Sequence, residues 1–422
     1  MILGAVADDL TGATDLSLMI ARQGMKTVQV IGVPDATMGF GDAECVVVAL
    51  KSRTISPLSA VEMSLSSARV LRIRGAEQLI FKYCSTFDST DEGNIGPVGE
   101  ALLELAGGGL TIACPAFPAA GRTIYRGYLF VGDVLLCDSP MKDHPLTPMR
   151  DANLVRVLQR QVQGRVGLVP LATVEQGVQA MRAAFEIARH QGYRFLIVDA
   201  VRDQDLRVIG EACADMKLVT GGSGIAMGLP DNFRRAGRIG AAVPPTHLRA
   251  PAGRPVILAG SCSAATREQV RHAIGAGIPA LQIDALGVAG GSVTAPAVVD
   301  WVMAHTGDRP ALVYSSADPD KVRGVQEKLG RDHAGAVVEH LLADVGRGLL
   351  ERGFSRFVIA GGETSGAVVD ALGARALEIG PEIAPGVPWT RSIGGPDVAL
   401  ALKSGNFGGP DFFLKAWTYL DG

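Results

Sequence analysis

Short runs that are apolar from end to end, many of them β-branched, alternate with stretches of helical period along nearly the whole chain. The pattern predicts strands near 2–7, 27–31, 45–50, 78–83, 110–114, 166–169, 195–199 and 216–220. Helices are expected near 13–23, 57–73, 97–106, 174–191 and 203–214. Strands without a polar face, separated by helices, belong to a parallel sheet covered on both sides. The stretch 242–255 breaks the rhythm, with four prolines in fourteen residues and no periodicity, and reads as a linker. Beyond it the alternation restarts, with strands near 256–259, 279–283, 311–315 and 356–360. Helices follow near 264–276, 295–305, 319–329, 335–352 and 366–372, and the tail 375–403 reads as short strands joined by Pro and Gly turns. The expected architecture is α/β: two α/β domains with mostly parallel sheets, 1–241 and 256–422, and a ligand cleft between them.

Composition narrows the class. At 422 residues with 47% hydrophobic and 20% charged side chains, the chain buries sizeable cores easily and is not disordered. A net charge of −3 gives no support to a nucleic-acid or anionic-membrane partner, each of which calls for a clustered positive surplus. The six cysteines are scattered with no CxxC, so they read as reduced core thiols rather than a zinc or redox pair. The first residues are apolar but lack a basic n-region and run into Asp8-Asp9, which fits a buried strand rather than a signal peptide. The longest uncharged stretch, 105–121, contains two prolines and four glycines and does not suit a membrane span. A cytoplasmic protein is expected.

Chemistry in open α/β sheets gathers where strand ends meet helix N-termini, and four such junctions stand out. Ala7-Asp8-Asp9-Leu10-Thr11-Gly12 follows the first strand; one acid can cap the next helix while the other faces a ligand, and capping alone is the plainer reading. Phe81-Lys82-Tyr83-Cys84-Ser85-Thr86-Phe87-Asp88-Ser89-Thr90 combines a lysine, hydroxyls and a carboxylate. Lys82 can meet a carboxylate and Asp88 can take a proton from a hydroxyl, although a polar surface turn has a similar composition. Arg53 and Lys51, after the strand 45–50, reach the same sheet edge. In the second half, Gly260-Ser261-Cys262-Ser263 and Ala360-Gly361-Gly362-Glu363-Thr364 each precede a helix. Glycines that admit a close backbone approach, with hydroxyls at helix starts, suit a phosphate, and two such loops suit a polyphosphate; serine capping is the plainer reading of the first. A further loop, Ser404-Gly405-Asn406, ends a strand in the same half. His144 is the one histidine in a dense polar loop.

Several motifs are missing. There is no GxxxxGK[ST], HExxH or GxSxG. The segment Gly222-Ser223-Gly224-Ile225-Ala226-Met227-Gly228 imitates a dinucleotide fingerprint with three intervening residues in place of two, and no acid stands about 20 residues on. That disfavours an NAD(P)-dependent dehydrogenase.

Taken together, these stretches resemble the four-carbon acid sugar kinase family, in its 3-oxo-tetronate 4-kinase branch. The similarity is carried by the motifs above, by Gly93-Asn94-Ile95-Gly96-Pro97, by the polar loop running from Asp138 through His144 to Pro148, and by Leu402-Lys403-Ser404-Gly405-Asn406-Phe407-Gly408, in family order. It implies an N-terminal acid-sugar-binding domain, a C-terminal nucleotide-binding domain, and ATP- and Mg²⁺-dependent phosphorylation of the terminal hydroxyl of a 3-oxo-tetronate. A threonate or erythronate kinase of the same family is the alternative, and a non-catalytic acid-sugar-binding regulator a further one; Asp91-Glu92-Gly93 after the Asp-Ser-Thr triplet resembles the 3-oxo branch. Under this resemblance Asp88 or Asp9 is the catalytic base. Asp8, Thr11, Gly12, Arg53, Lys82, Ser89 and His144 bind the acid sugar, and Ser261, Ser263, Ala360, Gly361, Gly362, Glu363, Thr364, Gly405 and Asn406 bind ATP. No protein-held metal, nucleic acid or membrane is expected, and homo-oligomerisation is left open.

Overall fold

The apolar runs become strands whose every residue is buried, as in Leu3–Ala7, Cys45–Ala49 and Gln78–Lys82, so each must be covered on both faces. The computed structural model describes residues 1–421 except 145, 308, 316–322, 325 and 326. The helix expected over 319–329 falls mostly outside the described residues. Two compact units emerge, Met1–Pro244 and Pro245–Gly422.

In the first unit the chain runs β1 (Leu3–Ala7), α1 (Leu10–Ala21), β2 (Thr27–Ile31), β3 (Cys45–Ala49), α2 (Pro57–Ile73), β4 (Gln78–Lys82), α3 (Ile95–Ala106) and β5 (Thr111–Cys114). The sheet order is β2-β3-β1-β4, then the strand Leu218–Gly221, then β5, Tyr193–Val198 and Arg165–Val169. All of these pairings are parallel. The connection leaving β1 goes towards β2, whereas the one leaving β4 goes towards β5. Between β1 and β4 the winding reverses, and a crevice opens there at the carboxyl ends.

The second unit repeats the plan. Its order is Ala280–Gln282, Ala311–Tyr314, Arg254–Ala259, Phe354–Ala360, Ala399–Lys403, Val387–Ile393 and Ala376–Ala384. The first five are parallel and the last two are added antiparallel. Here the reversal lies between Arg254–Ala259 and Phe354–Ala360. A core of Ile257, Leu312, Val358, Trp389, Phe412 and Phe413 packs the sheet against its helices.

The structure differs from the sequence reading in places. Arg254 and Pro255, assigned to the linker, open the strand Arg254–Ala259, where a register shift accommodates the proline at its start. Leu248–Arg249, also within the linker, pairs with Leu420–Asp421. A small antiparallel sheet, Arg122–Tyr125, Tyr128–Val131 and Val134–Leu135, was not anticipated. Among the described residues no helix is long and apolar enough to cross a membrane.

Candidate functional site

The ends of β1, β3 and β4 place their polar residues together. Ala7 is in register with Ala49 on one side and Lys82 on the other, so Asp8 and Asp9 emerge directly above the crevice. Arg53, four residues beyond β3, donates from Nε to Asp8 Oδ2 and from Nη2 to Asp8 Oδ1, both at 2.9 Å. Nη2 also reaches Asp9 Oδ1 at 2.7 Å. Its remaining nitrogen, Nη1, faces Asp88 Oδ2 at 3.6 Å, too far for a hydrogen bond. Lys82 Nζ, nearly fully buried, donates to Asp9 Oδ1 at 3.3 Å, and the Thr11 hydroxyl donates to Asp9 Oδ2 at 2.8 Å. The cluster thus holds three carboxylates against two cations.

Gly12 fits this arrangement by having no side chain. A Cβ there would lie 1.6 Å from Lys82 Nζ and 2.2 Å from Asp9 Oδ1. Burial pushes the Asp8 carboxyl up, and Arg53 only partly restores it. For Asp9 burial acts in the same direction, but Lys82, Arg53 and Thr11 outweigh it and hold the carboxyl far below the usual range. Burial would lower the Lys82 pKa, yet Asp9 and Asp8 raise it overall, so the ammonium stays charged.

Asp88 sits on a constrained turn. Phe87 and Asp88 are consecutive residues with φ of 66° and 41°. Asp tolerates that region, but a bulky Phe does so only when its surroundings force it. Phe87 is fully buried and meets the Tyr83 ring edge-on at 5.5 Å, while Asp88 Oδ1 accepts from the Thr86 hydroxyl at 2.6 Å. The turn is therefore pinned from both sides, leaving Oδ2 towards Arg53.

Other expected residues are placed differently. The Ser89 hydroxyl donates to Gln161 Oε1 at 3.1 Å and lies beside the start of α3, so it anchors the loop. His144 Nδ1 accepts from the Thr147 amide at 3.1 Å within its own loop, and Lys51 is exposed. Asn94, given no role by the sequence reading, directs its amide to the carbonyls of Ser52, Arg53 and Ile55 at 2.7, 3.1 and 3.0 Å, fixing the segment that carries Arg53. Its place in Gly93-Asn94 was the only signal. Asp91 pairs with Arg160 at 3.1 Å on the rim of an open pocket of about 770 Å³ shared with Tyr128, Asp151 and Arg156.

The second unit brings its three loops to one point. The amides of Gly260 and Ser261 donate to Ala360 O at 3.0 and 3.1 Å, and the Gly361 amide donates to Lys403 O at 2.9 Å. Gly361 has φ 130°, a conformation that side chains resist, and its absent Cβ would lie 2.9 Å from Thr364 Oγ1. A Cβ on Gly405 would stand 2.5 Å from Ser261 Oγ. Ser263 caps the helix Ala264–Gly275 by accepting from the Thr266 amide at 3.2 Å, and it donates to Gly405 O at 2.5 Å. Gln269 collects the carbonyls of Phe407, Gly408 and Gly409 at 2.9–3.1 Å. Gly362, Glu363 and Asn406 are exposed around this cradle, and Ala360 is buried beneath it. Cradles with such closely approached glycines fit a phosphate chain.

Three of the six thiols, Cys45, Cys114 and Cys213, lie in the core; Cys84, Cys137 and Cys262 are partly exposed. Burial and the nearby Asp88 push Cys84 up to about 11, leaving a neutral thiol in the loop. Among the described residues no group of three His, Cys, Asp or Glu side chains is placed to hold a metal.

Comparison with known proteins agrees with this division. Residues 3–229 match the family model of a sugar-binding N-terminal domain, and residues 256–413 that of a nucleotide-binding C-terminal domain. A 3-oxo-tetronate kinase of Cupriavidus necator is 55% identical over 423 residues, spanning 100% of this chain and 98% of the relative. One of Burkholderia multivorans is 54% identical, spanning 100% of this chain and 98% of the relative. A solved Haemophilus influenzae protein superimposes with a TM-score of 0.84 at 41% identity, covering 98% of this chain and 99% of that one. With both domain models matched and relatives of this identity along its whole length, the chain belongs to the four-carbon acid sugar kinase family, in the branch of the 3-oxo-tetronate kinases.

Proposed function

We propose that the chain transfers the γ-phosphoryl group of ATP to the C4 hydroxyl of a 3-oxo-tetronate. The observation that carries the acceptor side is the Arg53 fork. Asp8 and Asp9 hold two of its nitrogens, so the third is presented at a fixed angle beside Asp88. Nη1 and the Lys82 ammonium, which directs a single hydrogen bond at Asp9, bind the substrate carboxylate. Asp88 accepts the proton of the C4 hydroxyl as its oxygen bonds to the γ-phosphorus, the bond to the β-phosphate oxygen breaks, and ADP leaves. Asp9 is too acidic for that step, so we assign it to positioning.

On the donor side, the cradle of Ser261, Ser263, Gly361, Gly362, Thr364 and Gly405 holds the phosphates, with Ala360, Glu363 and Asn406 around it. Mg²⁺ bound with the nucleotide would supply charge neutralisation on its phosphates, and Ser261 and Ser263 would be the residues to hold it. Ser89 and His144 act by shaping the loops they close. The deciding experiment measures ADP release with Mg-ATP on a panel of 3-oxo-tetronates, threonates and erythronates, with the phosphorylated carbon located by NMR. Turnover of a 3-oxo acid to a 4-phosphate is expected. Turnover of threonate or erythronate alone would overturn the branch, and binding without turnover would leave a regulator.

A further inference from the structure

Lys403 ends the strand Ala399–Lys403 and is fully buried. Its Nζ donates to Thr266 Oγ1 at 3.0 Å and to the carbonyls of Ser404 and Gly405 at 3.1 Å each. All three acceptors are neutral. The hydroxyls of Ser263 and Thr266 converge on the same Gly405 carbonyl, at 2.5 and 2.8 Å. The amine therefore lies under the turn where the Ser261, Ser263 and Gly405 loops meet.

Titratable and charged side chains on the surrounding elements are Cys262 in the 260–263 loop, Arg267, Glu268, Arg271 and His272 on Ala264–Gly275, Arg356 on Phe354–Ala360, Glu363 and Asp370 on Gly362–Leu372 and Arg391 on Val387–Ile393. Among the described residues none acts on Lys403 electrostatically; burial is the one influence, and it lowers the amine to about 7. A buried lysine with no counter-anion is costly when charged, and the geometry suggests where the missing anion comes from. We propose that Lys403 is a positioning residue whose counter-anion is the phosphate chain of the bound nucleotide, so that nucleotide and proton bind together. This rests on the nucleotide-binding reading of the cradle above.

A phosphate held by the cradle favours the ammonium, and by linkage the ammonium favours the phosphate. A lysine acting only as a strut for two carbonyls and a hydroxyl would alter affinity equally at every pH. A lysine acting through its charge makes affinity depend on pH.

The test is calorimetric titration of the full-length protein with Mg-ATP and with adenosine, at pH 8 in two buffers of different ionisation enthalpy, repeated from pH 6.5 to 8.5. Uptake approaching one proton per Mg-ATP and none with adenosine is expected. The Kd for Mg-ATP should rise towards tenfold per pH unit above the free amine's midpoint, and Lys403→Met should abolish the uptake and flatten the profile. Mg-ATP binding without uptake in the wild type, or uptake unchanged in Lys403→Met, overturns the role of Lys403 and leaves the nucleotide site standing. Absence of binding by both Mg-ATP and adenosine overturns the nucleotide reading itself, and this inference with it. Should the variant fail to fold, the wild-type uptake alone decides.

Discussion

Replacing Gly12 by alanine tests the acceptor cluster at its tightest point. On helix propensity alone the change should help, since Ala exceeds Gly by about 1 kcal/mol within a helix such as α1. The geometry predicts the opposite. The new methyl would occupy the position 1.6 Å from Lys82 Nζ, so the ammonium must withdraw from Asp9 while remaining buried. Asp9 Oδ1, 2.2 Å from the new methyl, must give way too while Oδ2 keeps Thr11, and Lys82 is left as the orphan. Orphaning one member of a buried pair costs about 3–5 kcal/mol, so after the propensity gain the net loss is about 2–4 kcal/mol. For a unit of this size each kcal/mol lowers Tm by about 2–4 °C, giving a fall of roughly 4–16 °C in the transition of the N-terminal unit by scanning calorimetry. The KM for the acid sugar should rise with the KM for ATP unchanged. In a Lys82→Met background the same substitution should cost less, because the crowding of Asp9 remains but no ammonium is left to be orphaned. A Gly12→Ala protein as stable as the wild type, or an equal penalty in both backgrounds, would refute the reasoning.

Asp88→Asn keeps the shape and tolerates the positive φ, so it should fold normally while kcat falls on the order of 10²-fold or more for a lost base; a near-normal kcat would remove Asp88 from proton transfer. Gly405→Ala places a methyl 2.5 Å from Ser261 Oγ and should raise the KM for ATP about tenfold or more, on the order of 1.4 kcal/mol, while calorimetric binding of the acid sugar stays as it was. The ligand-free protein should also become more stable as pH rises from 7 to 8.5. Lys403 titrates near 7 when folded against 10.5 ordinarily, so the unfolded chain binds more protons in that window. The gain is up to about 1.4 kcal/mol per pH unit by urea unfolding, and Lys403→Met should show a flatter profile; a flat profile in the wild type would contradict the lowered amine.

Much of this was legible because the parallel strands are apolar on both faces and their polar residues begin abruptly at the carboxyl ends. Asp8, Arg53, Lys82 and Asp88 could be picked out as strand-end residues, and the sheet order brings those ends together. Their partnership was less legible. The sequence reading gave Arg53 to the substrate, whereas Asp8 and Asp9 already engage two of its nitrogens, a fact set by loop conformation rather than by spacing. Asn94 and Lys403 stand inside motifs of the resemblance but carried no assigned role, because a single buried polar residue leaves no periodic trace. The helix Gly362–Leu372 begins four residues before the expected start at 366, since Gly-Glu-Thr-Ser reads as a turn until the preceding loop fixes Gly361. The sheet between Arg122 and Leu135 was missed because its strands are short and half exposed, with positive-φ glycines at 127 and 132 in its turns.

The strand Leu218–Gly221 lies between β4 and β5 although it is made more than a hundred residues after either. It receives the Tyr83 amide at Gly221 O and the Tyr83 hydroxyl at Thr220, both at 3.0 Å. Synthesis therefore delivers every side chain of the acidic and basic cluster within the first 94 residues, but leaves β4 with a bare edge until residue 221 has cleared the ribosome. Such an edge is a template for pairing with other nascent chains. The interval between those two points sets how long that edge stays open on the emerging chain, and truncations ending before 218 should be recovered as aggregates rather than as a smaller folded unit.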